Sequence, residues 1–98
     1  MTLPLEYAEG VREDIDSAYA WYEDQQTGLG ETFLSEVADV VAKIAEHPRR
    51  FGRVRDEVRA GLVSRFPYVV YFRPEESRTV VIAVLHGRRD PQVWMKRI

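Results

Sequence analysis

His86, Arg88, Arg89 and Trp94 follow one another just past the most apolar stretch of the chain, Thr79 to Leu85. A histidine titrates near neutral pH and can donate, accept or move a proton. An arginine keeps its charge and grips phosphate or carboxylate with two parallel N–H bonds. An indole nitrogen only donates. This set suits recognition of an anion. Two further arginines, Arg59 and Arg65, have the even spacing that puts side chains on one face of a strand. They could join a site for an acidic partner, or form a solvated face. His86 has an equally plain structural role, its ring bonded to neighbouring backbone or to Asp90. Arg88 and Arg89 serve either recognition or pairing with helix acids, and packing suffices to explain Trp94 and Trp21.

The charge distribution favours binding. Residues 1–47 hold 11 acids and 2 bases, whereas residues 48–98 hold 5 acids and 12 bases, 11 of them Arg. Net charge is only −2, yet the segregation implies a basic face for a nucleic acid or an acidic protein segment. Internal pairing between acidic helices and basic strands is the competing account. The 98 residues suffice for one small domain, 1–98, with one core. The 45% hydrophobic and 31% charged content is that of a globular chain. No apolar run approaches a membrane span, so no membrane partner is expected, and the start M-T-L-P-L-E-Y does not read as a signal peptide. Cysteine is absent, which excludes disulfides, zinc–thiolate sites and thiol catalysis and fits a cytoplasmic location. Two histidines without useful spacing argue against a metal, and no cofactor is expected.

The elements that must position these residues are legible from periodicity. Leu3, Leu5 and Tyr7 alternate with polar positions, predicting a short strand. Val11, Ile15, Ala18, Tyr19 and Tyr22 recur at helical spacing, predicting a helix from about Ala8 to Gln26 anchored by Tyr19, Trp21 and Tyr22. Gly28 reads as its left-handed stop. Phe33, Val37, Val40, Val41 and Ile44 predict a second helix, ended by His47-Pro48. The short connection makes the two an antiparallel hairpin. R-R-F-G-R-V-R, from Arg49, reads as a loop or short strand with Phe51 plugging the core. Val58 to Phe66, Tyr68 to Arg73 and Thr79 to Leu85 read as three antiparallel strands, the last covered on both faces. Asp90-Pro91 opens a short final helix. The class is α+β: a helix hairpin on a small, mainly antiparallel sheet.

The segments G-V-R-E-D-I-D-S-A-Y-A-W-Y, G-L-G-E-T-F-L-S-E-V, I-A-E-H-P-R-R-F, V-R-A-G-L-V-S-R-F-P-Y-V-V-Y-F and V-I-A-V-L-H-G-R-R-D-P-Q-V-W together resemble the RelE/ParE superfamily of toxins, and within it the ParE (plasmid stabilisation) branch. The resemblance implies two antiparallel helices on a small sheet. It also implies inhibition of an essential process until a cognate, ParD-like antitoxin with a flexible tail wraps the toxin. RelE-type members cut messenger RNA on the ribosome, whereas ParE-type members are associated with poisoning DNA gyrase. In the RelE pattern an arginine past the last strand, matched by Arg88, works with a tyrosine six residues later, matched here by Trp94. RNA cleavage needs a base for the 2′-hydroxyl and cations for the phosphate. Trp94 cannot shuttle a proton, no lysine lies between Lys43 and Lys96, and among the candidate site residues His86 is the one of a type that titrates near neutrality. The resemblance therefore favours a gyrase inhibitor that acts by binding. A ribosome-dependent ribonuclease, or an interaction module without toxicity, is the alternative. The antitoxin tail is expected to carry acids near Arg59, Arg65, Arg88 or Arg89.

Overall fold

The computed structural model describes residues 2–98. Leu5–Tyr7 forms strand β1, Val11–Gln25 helix α1 and Leu29–Glu46 helix α2. A 3-10 turn at Pro48–Arg50 leads to β2 (Arg53–Arg55), β3 (Val58–Leu62), β4 (Tyr68–Pro74), β5 (Thr79–His86) and a four-residue helix α3 (Gln92–Met95). The strands make one sheet in the order β1-β5-β4-β3-β2. β1 runs parallel to β5, and every other pairing is antiparallel. The α+β class is as the periodicity predicts, with β2 added at the edge.

The helix hairpin covers one face of the sheet. The α2 stripe Phe33, Val37, Val40, Val41 and Ile44 is buried throughout, against Val70, Phe72 and Val81. Helix α1 sinks less deeply and fully buries only Val11 and Ala18. Its anchor is Tyr22, packed on Phe33, Phe66 and Tyr68. Trp21 is no anchor, contrary to expectation. It is 59% exposed and touches Tyr22 edge-on, because its position on α1 points away from the sheet.

The hairpin turn departs from expectation. Gly28 is left-handed, with φ of 91°, but it opens α2, while α1 ends at an extended Gln26. The Glu23 carboxylate accepts the Gly28 and Gly30 amide N–H groups at 2.9 and 3.0 Å, filling the role of the missing cap side chain. Gly30 permits the close crossing: a Cβ there would lie 2.9 Å from the Tyr19 carbonyl oxygen.

Helix α3 lies on the opposite face, where Trp94, Val58, Ile82, Ala83 and Leu85 form a second cluster. A β-bulge in β5 divides the strand between the two layers. Tyr71 pairs with Ala83 and Phe72 with Val81, leaving Ile82 unpaired. Ile82 and Ala83 therefore both join the α3 cluster, whereas Val81 and Val84 join the hairpin cluster.

Strand β3 is shorter than its alternation predicts. It stops at Leu62, and the Val63 amide donates to the Tyr68 carbonyl at 2.9 Å to close a turn. Within it Arg65 adopts φ of 70°. Val63 packs with the hairpin cluster and is only 4% exposed, whereas Leu62, on the opposite face, is 75% exposed.

Candidate functional site

β1 ends at Tyr7, opposite Val81, so the outer edge of β5 has no strand beside it further along. Two side chains take its place. Asp14 on α1 accepts the Val84 amide at 3.0 Å, and Arg97, just past α3, donates to the Ile82 carbonyl at 3.2 Å. They grip each other through two bonds of 2.7 and 3.0 Å. Carboxylate and guanidinium thus supply the acceptor and donor that a neighbouring peptide would have offered. The bond to Asp14 holds the Arg97 guanidinium above its ordinary pKa, against burial. The contact ties α3 to α1 around the sheet edge.

This pair forms one wall of a polar cavity of about 270 Å³ between the start of α1 and the end of β5. Tyr68, His86 and Arg89 form the other. The His86 ring stands edge-on to Tyr68 at 5.6 Å, and its Nδ1 accepts the Arg88 backbone N–H at 3.0 Å. Its backbone partner is Arg88, whereas Asp90 instead accepts the Gln92 amide at the start of α3. With Nδ1 occupied as an acceptor, the neutral ring carries its proton on Nε2. Burial lifts the Tyr68 hydroxyl above its ordinary pKa, while Arg89 pulls the other way. The cavity is therefore polar and mixed in charge, lined by Glu13 and Asp14 as well as by Arg89 and Arg97.

The other sequence-predicted residues lie elsewhere. Arg88 is exposed beside a shallow groove that includes Leu62, Phe66 and Pro67. Trp94 is 5% exposed and stacks on Tyr71 at 4.8 Å with the rings 18° apart, on the α3 face and away from the cavity. Arg59 and Arg65 do not share a strand face, because the β3–β4 turn intervenes. Arg65 reaches Glu36 on α2 at 3.2 Å. Arg59 donates to the carbonyls of Phe51 at 2.6 Å and Arg49 at 3.2 Å, closing the loop that precedes β2. Sequence reasoning missed Asp14 and Arg97. Asp14 looked like an ordinary complement to the α1 dipole, and no local spacing relates residues 83 positions apart. The exposed arginines of residues 49–55 read only as part of a loop or short strand, since nothing in the local spacing marks them as a surface. No group of metal-ligating side chains comes together among the described residues, and no described helix is long and apolar enough to cross a membrane.

Known proteins give this arrangement its context. Residues 5–91 match the family model described as the ParE toxin of the type II toxin–antitoxin system, parDE. Toxin ParE2 of Mycobacterium tuberculosis, in two strains, is 27% identical over 92 residues, spanning 93% of this chain and 88% of the relative. A solved structure, described as a chromosomal ParDE toxin–antitoxin system from P. aeruginosa, superposes with a TM-score of 0.77. It covers 87% of this chain and 96% of that one at 16% identity, a likeness of fold. With its sheet, hairpin and β5 terminus all inside the matched span, the chain belongs to the ParE toxin family of type II toxin–antitoxin systems.

Proposed function

We propose that this toxin is held inactive by a ParD-like antitoxin with a flexible tail, and that when released it inhibits DNA gyrase by binding, without cutting RNA. The observation that carries this reading is the state of His86. Activating a 2′-hydroxyl requires an acceptor aimed at it. The Nδ1 of His86 already receives the Arg88 amide, so in the neutral ring the remaining nitrogen, Nε2, is a donor. Trp94, at the position matching the RelE tyrosine, is stacked on Tyr71, and its indole N–H is a donor only. What the β5 terminus presents is charge and hydrogen-bond donors from Arg88, Arg89 and His86, which suits docking on an anionic surface.

The test is a pair of assays on the purified protein. In a gyrase supercoiling reaction, blocked supercoiling is expected. In a translating extract read by primer extension, messages should stay intact. Codon-positioned cuts would overturn the reading in favour of a RelE-type ribonuclease. Harmless expression without antitoxin would overturn both and favour a non-toxic interaction module.

A further inference from the structure

Apart from Arg88 and Arg89 beyond β5, the arginines of the basic half fall into two groups. Arg65, Arg73, Arg78 and Arg97 each meet a carboxylate, and Arg59 meets two carbonyls. Arg49, Arg50, Arg53 and Arg55 form a different set, in a stretch from 49 to 55 that contains no acid. Arg49 and Arg50 are exposed, with no ion pair among the described residues. Arg53 approaches Glu57 at 3.4 Å and Arg55 approaches Asp56 at 3.9 Å, all four side chains more than half exposed. Such pairs hold weakly.

This set lies on an open edge. β2 is the last strand of the sheet, all three of its residues are exposed, and Val54 stands between two arginines. Arg53 is the register partner of Arg59. Like charges directly opposite across a ladder destabilise it. No carboxylate neutralises Arg59 among the described residues, and its Nε is buried without a hydrogen-bond partner. Two opposed cations, with the exposed Glu57 carboxylate beside Arg53, mark a place where added negative charge is favoured.

We infer that the β2 edge accepts an extended acidic polypeptide segment as a sixth strand, with carboxylates placed against the Arg53–Arg59 pair and Arg55 and an apolar side chain against Val54. The unpaired backbone groups of an edge strand are matched by another peptide strand. A nucleic acid could satisfy the arginines but not the backbone. A second copy of this edge would set arginine against arginine and be repelled. Docking here is independent of which cellular process the toxin blocks, since β2 lies at the opposite edge of the sheet from β1 and apart from the β5 cavity.

The probe is a labelled synthetic peptide alternating Glu and Val, titrated by anisotropy into the full chain. It should bind, more weakly as salt rises, and should slow hydrogen exchange in β2. The same peptide N-methylated at alternate residues should lose affinity, because it cannot complete the ladder. The double variant Arg53→Glu/Arg55→Glu, and the milder Arg53→Gln/Arg55→Gln should the first fail to fold, should weaken binding roughly tenfold or more. Arg12→Glu, a reversal at an exposed arginine on α1, should leave it unchanged. The inference is overturned if the N-methylated peptide binds equally, if the β2 variants keep full affinity, if Arg12→Glu weakens binding as much, or if an oligothymidylate displaces the peptide as well as unlabelled peptide does.

Discussion

Arg97 and Arg53 have the same side chain and the same sign of charge, and the fold uses them in opposite ways. Arg97 is 22% exposed and makes two bonds to a carboxylate that is itself 8% exposed, with a backbone carbonyl as a further partner. Arg53 is 61% exposed, and its acid Glu57 is equally so. The first arginine stitches α3 to α1 and completes the edge of β5. The second leaves β2 charged and open. Water accounts for the difference: removing a partner from the drier pair strands a charge that cannot be rehydrated in place, whereas the exposed pair exchanges freely with solvent.

Asp14→Ala should give the largest effect. It leaves Arg97 without its acid and the Val84 amide without an acceptor, and should lower stability by about 3 kcal/mol in urea denaturation. A loss no greater than that of an exposed pair would erase the contrast. Arg97→Lys keeps the charge but loses the two-pronged contact, and a cost of about 2 kcal/mol is expected by the same measurement. Between the extremes sits Glu75, whose bonds to Arg78 and Arg73 hold its carboxyl below the usual carboxylate range. A depressed folded pKa contributes stability that is complete above the unfolded value, about 4.3, and is lost as pH falls through the folded value. Glu75→Gln should therefore flatten the acid limb of a stability–pH curve and leave its neutral shape alone. Arg53→Gln should change stability by no more than about 0.5 kcal/mol, with relief of the opposition to Arg59 offsetting the lost Glu57 contact.

Much of the fold was legible because burial imposes a period on the chain. The α2 stripe from Phe33 to Ile44 and the two-faced apolar run of β5 could be read directly, since each is repeated over several turns or pairs. Reading failed where one residue changes the count. The bulge at Ile82 shifts which side of the sheet the next residue faces, and β3 stops at Leu62 so that the left-handed Arg65 falls in a turn. For the second reason Arg59 and Arg65 looked like neighbours on one face and are not. The helix junction failed differently: Gly28 was recognisable as a left-handed glycine, but whether it ends α1 or starts α2 depended on Glu23 reaching across to it. At the site, residue types were visible and partners were not. His86 could be named as the histidine of the segment, while its tautomer rests on the Arg88 amide.

The order of residues by itself determined that acids gather in the N-terminal half and arginines in the C-terminal half, that no thiol chemistry is possible, and where apolar faces recur. Those are properties of composition and short-range spacing, and they survive any arrangement in space. Which arginines are neutralised and which face solvent was decided only when α3 wrapped past the end of β1 and β2 closed the sheet. Charge pairing depends on distance and on the exclusion of water, and both are set by contacts between segments far apart along the chain.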